Sequence, residues 1–261
     1  MFANERQDEI FKMVKEKGSV TVNELIELFK VSIETVRRDL MILEKQKRLQ
    51  RVHGGAVSVS QMKKFHKLSQ RIKENNQGKM ELSRLAVSFI KEEDIISIDS
   101  GSTAIEFVEF LKEKFHRLTI VTHSLDVFVR LCSVEGFNVI LCGGQFLKEE
   151  NAFYGTLTFD AISNLHVSKA FIFPSAISLK SGVADYNLEL VQIQKAYLHI
   201  ADEAIIMADS SKYEKNALIK LCDVDQRYTF ITDSGLCDET YYLYKENQIH
   251  IFRESRKENE Q

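Results

Sequence analysis

The spacing of apolar positions predicts two kinds of architecture along this chain of 261 residues. Before residue 60, apolar side chains recur every three or four positions, which is the period of amphipathic helices. From Lys79 onward, short apolar runs alternate with helical patterns. Strands that alternate with helices form a largely parallel sheet covered on both faces. We therefore predict an α/β protein in which a small N-terminal domain precedes a larger domain with a mostly parallel sheet.

Three helices are predicted near the N-terminus. The first covers residues 4–16 and stops at Gly18, and the second follows Thr21, which has capping-box spacing to Glu24. A turn of three to four residues then leads to a third helix that begins after Ser32. The third helix carries an apolar stripe made of Ile33, Val36, Leu40 and Leu43.

A β-hairpin is predicted directly after the third helix. Two short strands, 48–52 and 56–59, flank His53, Gly54 and Gly55, and we interpret the two glycines as the turn. Three helices followed by a wing within about sixty residues predict a winged helix-turn-helix.

The polar face of the third helix carries side chains that suit DNA. Arginine offers paired donors to guanine edges and phosphates, and threonine can contact phosphate or a thymine methyl group. The third helix alone fits an ordinary surface helix equally well, but the flanking helices and the wing favour a DNA reader. The candidate DNA-binding residues are Ser32, Glu34, Thr35, Arg37, Arg38, Arg51, His53, Gly54 and Gly55.

The charge distribution supports this interpretation although the whole chain has a net charge of -3. Residues 1–74 have a balance of +6, and residues 75–261 have a balance of -9. A basic N-terminal part followed by an acidic remainder confines the attraction for phosphate to one end of the chain. A solvated basic helix without a partner is the alternative.

The composition shift also suggests domain boundaries. We assign residues 1–59 to the winged helix-turn-helix, 60–76 to a basic linker and 77–255 to an effector-sensing domain. The linker is expected to be a connecting helix or hinge, and residues 75–78 mark its end.

In the larger domain, apolar runs and helical patterns alternate. The predicted strands are 95–98, 118–121, 137–141, 169–173, 204–208 and 228–232, and the predicted helices include 103–114, 125–132, 159–165 and 188–201. Ligands of such sheets bind beyond the carboxyl ends of the strands.

The loops at those strand ends are rich in hydroxyl groups and glycine. At 99–103 a strand meets a helix N-terminus, which is a suitable cradle for phosphate. Ser or Thr helix caps and ordinary turns are the alternative for each loop taken singly. The candidate effector-binding residues are Asp99, Ser100, Gly101, Ser102, Thr103, Thr122, His123, Ser124, Gly143, Gly144 and Lys212.

The remaining composition excludes several classes of protein. The four cysteines are widely spaced, so we expect reduced thiols, no metal site and no cofactor. No apolar run reaches the roughly 18–20 residues of a membrane span, and no signal-peptide core is present, so we expect a cytoplasmic protein.

The N-terminal motifs resemble the DeoR family of bacterial transcription regulators. The helix-turn-helix signature of that family is similar to Arg6, Ile10, Val14 and residues 32–40, excepting positions 33 and 34, and its wing motif is similar to residues 51–56. The family's sensor motifs are similar to Lys79, 99–103, 121–124, 143–144, 209–212 and 231–233. The resemblance covers nearly the whole chain.

The resemblance implies a sensor domain similar to the ribose-5-phosphate isomerase and CoA-transferase folds. It implies that the 99–103 loop holds a phosphate and that Asp99 or Lys212 contacts sugar hydroxyls or the phosphate. Three departures affect the expected ligand. His123 replaces the usual Asn and adds an expected pH sensitivity, 173–177 lacks the usual glycines around Pro174, and Leu190 replaces a small or acidic residue.

These observations lead to one main expectation and two alternatives. We expect a repressor of a carbohydrate-catabolic operon that binds double-stranded operator DNA as a homodimer or homotetramer and is released by a phosphorylated sugar. One alternative is sugar-phosphate isomerase activity, for which no paired acidic cluster is evident between Gly144 and Lys212. The other alternative is an activator, or a regulator without a small ligand.

Overall fold

The computed structural model describes residues 3–17, 19–46, 48–52, 54–58 and 68–254. The chain divides into two compact units. The N-terminal unit contains the residues up to 66 and two short segments, 185–188 and 217–219. The C-terminal unit contains the remainder. Each helix or strand is assigned to the unit that holds most of its residues, although Asp185, Leu188 and Ile219 are end residues that belong to the N-terminal unit.

Among its described residues, the N-terminal unit contains three helices and three short strands. Their bounds are α1 Ala3–Lys17, β1 Ser19–Thr21, α2 Val22–Phe29, α3 Ile33–Lys45, β2 Leu49–Val52 and β3 Gly55–Ser58. Thr21 and Glu24 form the predicted capping box at the start of α2, with each side chain accepting from the other residue's backbone N–H. Lys30 ends α2 in the left-handed region with a φ of 52°. The three predicted helices are therefore confirmed.

The core of the N-terminal unit is apolar except at one place. Nine apolar residues, drawn from each of the six described elements, are at most 2% exposed: Ile10, Val14, Val20, Leu25, Val36, Leu40, Leu43, Leu49 and Ala56. Beside them, the Asp39 carboxylate of α3 accepts hydrogen bonds from Arg6 Nε at 2.6 Å and Gln7 Nε2 at 2.8 Å. This buried polar contact fixes α3 against α1.

The wing differs in one detail from the prediction. Strands β2 and β3 are antiparallel, and Val52 pairs with Gly55, so Gly55 is the first residue of β3 and not part of the turn. A Cβ on Gly55 would lie 2.1 Å from the Val20 carbonyl oxygen, because β1 pairs with β3 on its other side. The close approach of a third strand, β1, therefore explains this glycine.

The C-terminal unit alternates strands and helices. Its helices are α4 Leu68–Arg71, α5 Asn76–Ala86, α6 Ser102–Lys114, α7 Leu125–Leu131, α8 Thr156–Ser163, α9 Leu188–Ile200 and α10 Asp238–Glu246. Its strands are β4 Ile95–Ile98, β5 Leu118–Thr122, β6 Phe137–Leu141, β7 Gln145–Leu147, β8 Ala152–Tyr154, β9 Val167–Ile172, β10 Ala176–Ser178, β11 Gly182–Asp185, β12 Ala201–Met207, β13 Ile219–Cys222, β14 Tyr228–Thr232 and β15 His250–Arg253.

Seven of these strands form one sheet in the order β15-β14-β12-β9-β4-β5-β6. Every neighbouring pair in this sheet is parallel, which confirms the predicted α/β class. Phe107 of α6, Phe171 of β9 and Leu82 of α5 belong to one buried cluster that joins helices to the sheet. The six predicted strands all lie in this sheet, with ends that differ by up to three residues.

Several short elements are additional to the prediction. Strands β7 and β8 form an antiparallel pair, and β10, β11 and β13 form a separate sheet of three strands. Strand β15 adds an edge to the large sheet and follows helix α10.

The end of the predicted linker lies within regular structure. Residues 68–71 form the short helix α4, and α5 already begins at Asn76, so the boundary predicted at 75–78 falls on the first turn of α5. Asn75 precedes this helix in the left-handed region with a φ of 44°. The predicted linker residues 60–67 lie outside the described residues.

Candidate functional site

The polar face of α3 is open on the N-terminal unit. Arg37, Arg38 and Glu34 are exposed, and Thr35 is half-buried. Neither arginine has an ion-pair or hydrogen-bond partner among the described residues, so their guanidinium groups are available to a ligand. An exposed row of unpaired guanidinium groups on an otherwise anchored helix is suited to phosphates and base edges.

Ser32 has a structural role at the start of α3. Its Oγ accepts from the Thr35 backbone N–H at 3.3 Å and lies 3.1 Å from Thr35 Oγ1. A capped first turn presents Thr35 at the end of the helix that carries a positive partial charge.

The wing is tied to the same helix. The Arg51 backbone N–H donates to Glu44 Oε1 of α3 at 2.8 Å, while the Arg51 side chain is exposed. Gly54 is exposed with a φ of 89°, and Gly55 is buried by β1. His53 lies outside the described residues. The predicted contact of these residues with DNA stays a prediction.

In the C-terminal unit, Asp99 organises the loop at the end of β4. Its buried carboxylate accepts from the backbone N–H of Ser100 at 2.7 Å, from the backbone N–H of Phe173 at 3.2 Å and from Gln194 Nε2 at 2.9 Å. These three donors come from separate parts of the chain. Asp99 therefore fixes the loop against β9 and α9, and Pro174 follows directly after one of its donors.

His123 lies next to Asp99 and is completely buried. Its Nδ1 is 3.2 Å from the Tyr197 hydroxyl, and its Nε2 is 3.7 Å from Asp99 Oδ1. Burial lowers the pKa of His123 to about 3 and raises the pKa of Tyr197. Because the tyrosine stays protonated, we assign its O–H as the donor to Nδ1 and place the imidazole proton on Nε2.

The expected pH sensitivity of His123 is wrong for this reason. A side chain with a pKa of about 3 remains neutral through the physiological range. The structure thus places the neutral imidazole of His123 next to the carboxylate of Asp99, the first residue of the 99–103 loop. Leu190, the third departure from the family pattern, is buried in α9.

The loop after Asp99 ends at an uncapped helix. Gly101 occupies the N-cap position of α6 and provides no side-chain cap, so a Ser or Thr cap does not account for this loop. Ser100, Ser102 and Thr103 are buried, and Ser100 Oγ has no hydrogen-bond partner among the described residues. Free backbone N–H groups beside an unpartnered buried hydroxyl are features of an anion site.

Two other predicted residues serve the local fold. Thr122 Oγ1 donates to the Ile98 carbonyl at 2.8 Å, which links the ends of β5 and β4. Ser124 caps α7 by accepting from the Val127 backbone N–H at 3.3 Å. For Ser124, the alternative of a helix cap is therefore correct.

The glycine pair after β6 packs against α8. The Gly143 carbonyl accepts a hydrogen bond from Thr158 Oγ1 at 3.1 Å. A Cβ on Gly144 would lie 2.2 Å from Thr158 Oγ1. The close approach of Thr158 explains Gly144, whereas Gly143 is exposed.

Lys212 lies in the loop after β12, close to a second lysine. Lys79 of α5 is 2% exposed, and burial lowers the pKa of its ammonium group, an effect to which the charge of Lys212 adds. The carboxylate of Asp209 opposes that shift. The sequence points to Lys79 only through the family resemblance, because a single lysine in a helix gives no sign that it is buried.

The fold and these sites define a class of protein: a DNA-binding transcription regulator with a winged helix-turn-helix and an α/β sensor domain. Residues 6–62 match the DeoR-like helix-turn-helix domain, and residues 74–234 match the DeoR C terminal sensor domain. The chain belongs to the DeoR family.

Similar proteins cover nearly the same length. The HTH-type transcriptional regulator YulB of Bacillus subtilis (strain 168) is 33% identical, over 96% of each chain. The lactose phosphotransferase system repressor of Lactococcus lactis subsp. lactis is 32% identical, over 88% of this chain and 91% of that protein. The L-fucose operon activator of Haemophilus influenzae is 28% identical, over 94% and 98%.

The enzyme alternative is not favoured by these relatives, which are transcription regulators. Ribose 5 phosphate isomerase A from Neisseria gonorrhoeae is similar to 53% of this chain and 53% of its own, with 18% identity and a TM-score of 0.39. No activity follows from a likeness at that level. Among the described residues, no helix has both the length and the apolar character needed to cross a membrane.

Proposed function

We propose that this regulator represses a carbohydrate-metabolism operon and is released from its operator by a phosphorylated sugar. The observation that carries the proposal is the uncapped N-terminus of α6, where Ser100 Oγ is buried and without a partner among the described residues. A phosphate monoester would accept hydrogen bonds from both features. The lactose phosphotransferase system repressor is a relative with a related role in its name.

On the DNA side, we propose that α3 enters the major groove with Thr35, Arg37 and Arg38. Arg51 and the residues around His53 and Gly54 would contact the backbone or the minor groove. The domain assignments that accompany this proposal are 1–59 for the DNA reader, 60–76 for the linker and 77–255 for the sensor.

One such module makes few base contacts, so we propose that the protein binds as a homodimer or homotetramer. Half-sites would then lie about 10 base pairs or a multiple apart on one face of the DNA. A ligand can release this complex only if it binds the DNA-free conformation more tightly than the DNA-bound one.

The test is operator binding at fixed salt, using DNA from the upstream region of its own gene. A panel containing glucose 6-phosphate, galactose 6-phosphate and fructose 1-phosphate is added to the complex, with the unphosphorylated sugars as controls. Release by a phosphorylated sugar alone supports the proposal. Tight binding that no member of a broad sugar-phosphate panel alters would contradict ligand release.

Variants separate the two sites. Arg38→Ala should lose about 1–3 kcal/mol of operator binding with relaxed specificity at one position, while Arg51→Ala should weaken binding to all sequences alike. Arg117→Ala, an exposed arginine of the C-terminal unit, is the matched control. Thr103→Val and Lys212→Ala should keep operator binding and abolish release.

The sign of regulation is tested by mapping the operator. A site that overlaps the polymerase-binding region supports repression, whereas a site upstream of that region supports the activator alternative. The L-fucose operon activator among the relatives makes this mapping necessary.

A further inference from the structure

The short helix α4 is fastened to the C-terminal unit by its last residue. The Arg71 guanidinium forms a hydrogen-bonded ion pair with Glu150, which lies in the turn between β7 and β8. Their side chains are 14% and 4% exposed. A buried, hydrogen-bonded pair holds its two segments together, because separating it would leave a charge without its partner.

The backbone of Arg71 has a second attachment, to a lysine. The Arg71 carbonyl oxygen accepts a hydrogen bond from Lys79 Nζ and another from the Glu74 backbone N–H at 3.2 Å. Lys79 lies one turn into α5 and is buried. Its ammonium group therefore reaches back across the turn between α4 and α5 and holds the end of α4.

The same ammonium group lies beside the candidate effector site. The carboxylates of Asp209, Glu106 and Glu74 raise the pKa of Lys79, and the charge of Lys212 lowers it. The Lys79 backbone N–H donates to the Asn75 carbonyl at 3.1 Å, which ties Lys79 to the residue that contacts Asp209. Asp209 precedes Lys212 in the loop after β12, and Glu106 lies in the second turn of α6. Lys79 is thus acted on by charges of both the loop of Lys212 and the second turn of α6, the helix whose N-terminus is uncapped.

A further hydrogen bond joins the same segment to that loop. Asn75 Nδ2 donates to Asp209 Oδ1 at 3.0 Å. The segment from Arg71 to Lys79 is therefore attached at one end to the turn of Glu150 and at the other end to the loop of Lys212.

We propose that Lys79 is the positioning residue that couples the effector site to the linker, by exchanging the Arg71 carbonyl for the phosphate of a bound phosphomonoester. This inference rests on the proposed function and identifies the group that transmits ligand binding. In the ligand-free protein Lys79 holds the end of α4. In the ligand-bound protein it turns toward the anion, and the end of α4 loses one of its two attachments.

The physical reason is the difference between the two acceptors. A carbonyl oxygen offers a buried ammonium group only a dipole, whereas a phosphate offers a full opposite charge and shorter, stronger hydrogen bonds. Burial already disfavours the charge of Lys79, so an anion is the partner that relieves this cost most. A cleft of about 500 Å³ leaves room for the helix to shift, and its lining includes Leu68, Ser69, Ile72, Lys148, Glu149 and Asn151.

The test is hydrogen exchange of the full-length protein, followed at the backbone amides of residues 72–74. Lys79→Met removes the ammonium group and keeps the length of the side chain, and we expect these amides to exchange at least about tenfold faster without any ligand. Lys73→Met is the matched control, because Lys73 is exposed in the same segment. Its amides should exchange as in the wild type.

A second measurement adds a ligand, and its result for the wild-type protein stays informative even if Lys79→Met does not fold. Inorganic phosphate, compared with chloride at equal ionic strength, should speed exchange at 72–74 in the wild type and have no effect in Lys79→Met. Unchanged exchange in a folded Lys79→Met protein would overturn the inference. The inference would also be overturned if phosphate slows amide exchange in the 99–103 loop or the loop of Lys212 of the wild type but leaves exchange at 72–74 unchanged.

These outcomes are separate from those of the proposed function. The exchange experiment needs neither operator DNA nor the natural effector, so a failure of sugar phosphates to release the operator does not change it. Conversely, the same sugar phosphate is tested for release of the operator from Lys79→Met. If the ratio of operator affinities without and with the sugar phosphate equals that of the wild type, the coupling role is overturned and the proposed function stays intact.

Discussion

The buried pair between α1 and α3 provides the sharpest test of how the DNA-reading helix is held. Asp39 lies in α3, amid the residues proposed to contact DNA, yet its carboxylate points inward to Arg6 and Gln7. The side chains of Arg6 and Asp39 are only 10% and 4% exposed. We expect Asp39→Ala to act through the stability of the N-terminal unit and not through a lost DNA contact.

The structure sets the magnitude. Asp39→Ala leaves a buried guanidinium group without its carboxylate and removes the acceptor of the Gln7 amide. Removing one partner of a buried ion pair costs about 3–5 kcal/mol. Whole domains are stable by about 5–15 kcal/mol, and a unit this small lies toward the low end. The variant should therefore lose a large share of the free energy of unfolding of this unit.

The assay exploits the absence of tryptophan from the chain. Phe11→Trp places a single fluorescent reporter in α1, at the edge of the N-terminal core, so that urea unfolding of this unit can be followed separately. Glu34→Ala, which changes an exposed carboxylate of the same helix, is the control and should shift stability by less than about 0.5 kcal/mol. A shift of Asp39→Ala no larger than that of the control would refute the reasoning. Arg6→Met combined with Asp39→Leu should recover most of the loss.

Three further predictions test other parts of the structure. Gly55→Ala should destabilise the N-terminal unit by about 1–3 kcal/mol, because its Cβ would lie 2.1 Å from the Val20 carbonyl oxygen; the tryptophan reporter measures this. His123 has a pKa of about 3 when folded against 6.5 when exposed, so the unfolded chain binds more protons below about pH 6.5. The free energy of unfolding should therefore fall as the pH is lowered, by up to about 1.4 kcal/mol per pH unit from His123. In urea unfolding, His123→Asn should reduce this dependence of the free energy of unfolding on pH. Arg71→Glu and Glu150→Arg should each lower the free energy of unfolding of the C-terminal unit by about 3–5 kcal/mol. In thermal unfolding, the double variant should regain part of that loss. Equal losses in all three variants would contradict a direct pairing.

The main strands and helices could be predicted because their signals are local. Strand β4 is a short apolar run. The capping box that predicts the start of α2 spans only the four residues from Thr21 to Glu24. The short strands β10 and β13 carry no comparable signal. Each has only three or four residues, and each is a strand only because a distant segment pairs with it.

The position of the candidate effector site could also be predicted, since parallel strands bring their carboxyl ends to one edge. The partners of its side chains could not. Asp99 and Gln194 are 95 residues apart in sequence, and His123 and Tyr197 are 74 apart. A histidine in a polar loop motif suggests a titrating group, whereas the structure buries it against a tyrosine and thereby removes its titration from the physiological range.

These partners divide the candidate residues into those that build the site and those that remain for a ligand. Asp99 already accepts three hydrogen bonds, and its buried negative charge disfavours a second anion beside it. A phosphate should therefore lie toward the uncapped end of α6 and toward Lys79 and Lys212. The remainder of a phosphorylated sugar would then extend toward Asp99 and the neutral imidazole of His123, which suit uncharged hydroxyl groups. The phosphate end would include Lys79, the buried lysine that also holds α4. The part of the ligand common to all phosphorylated sugars would then transmit the signal, and the hydroxyl end would select among them.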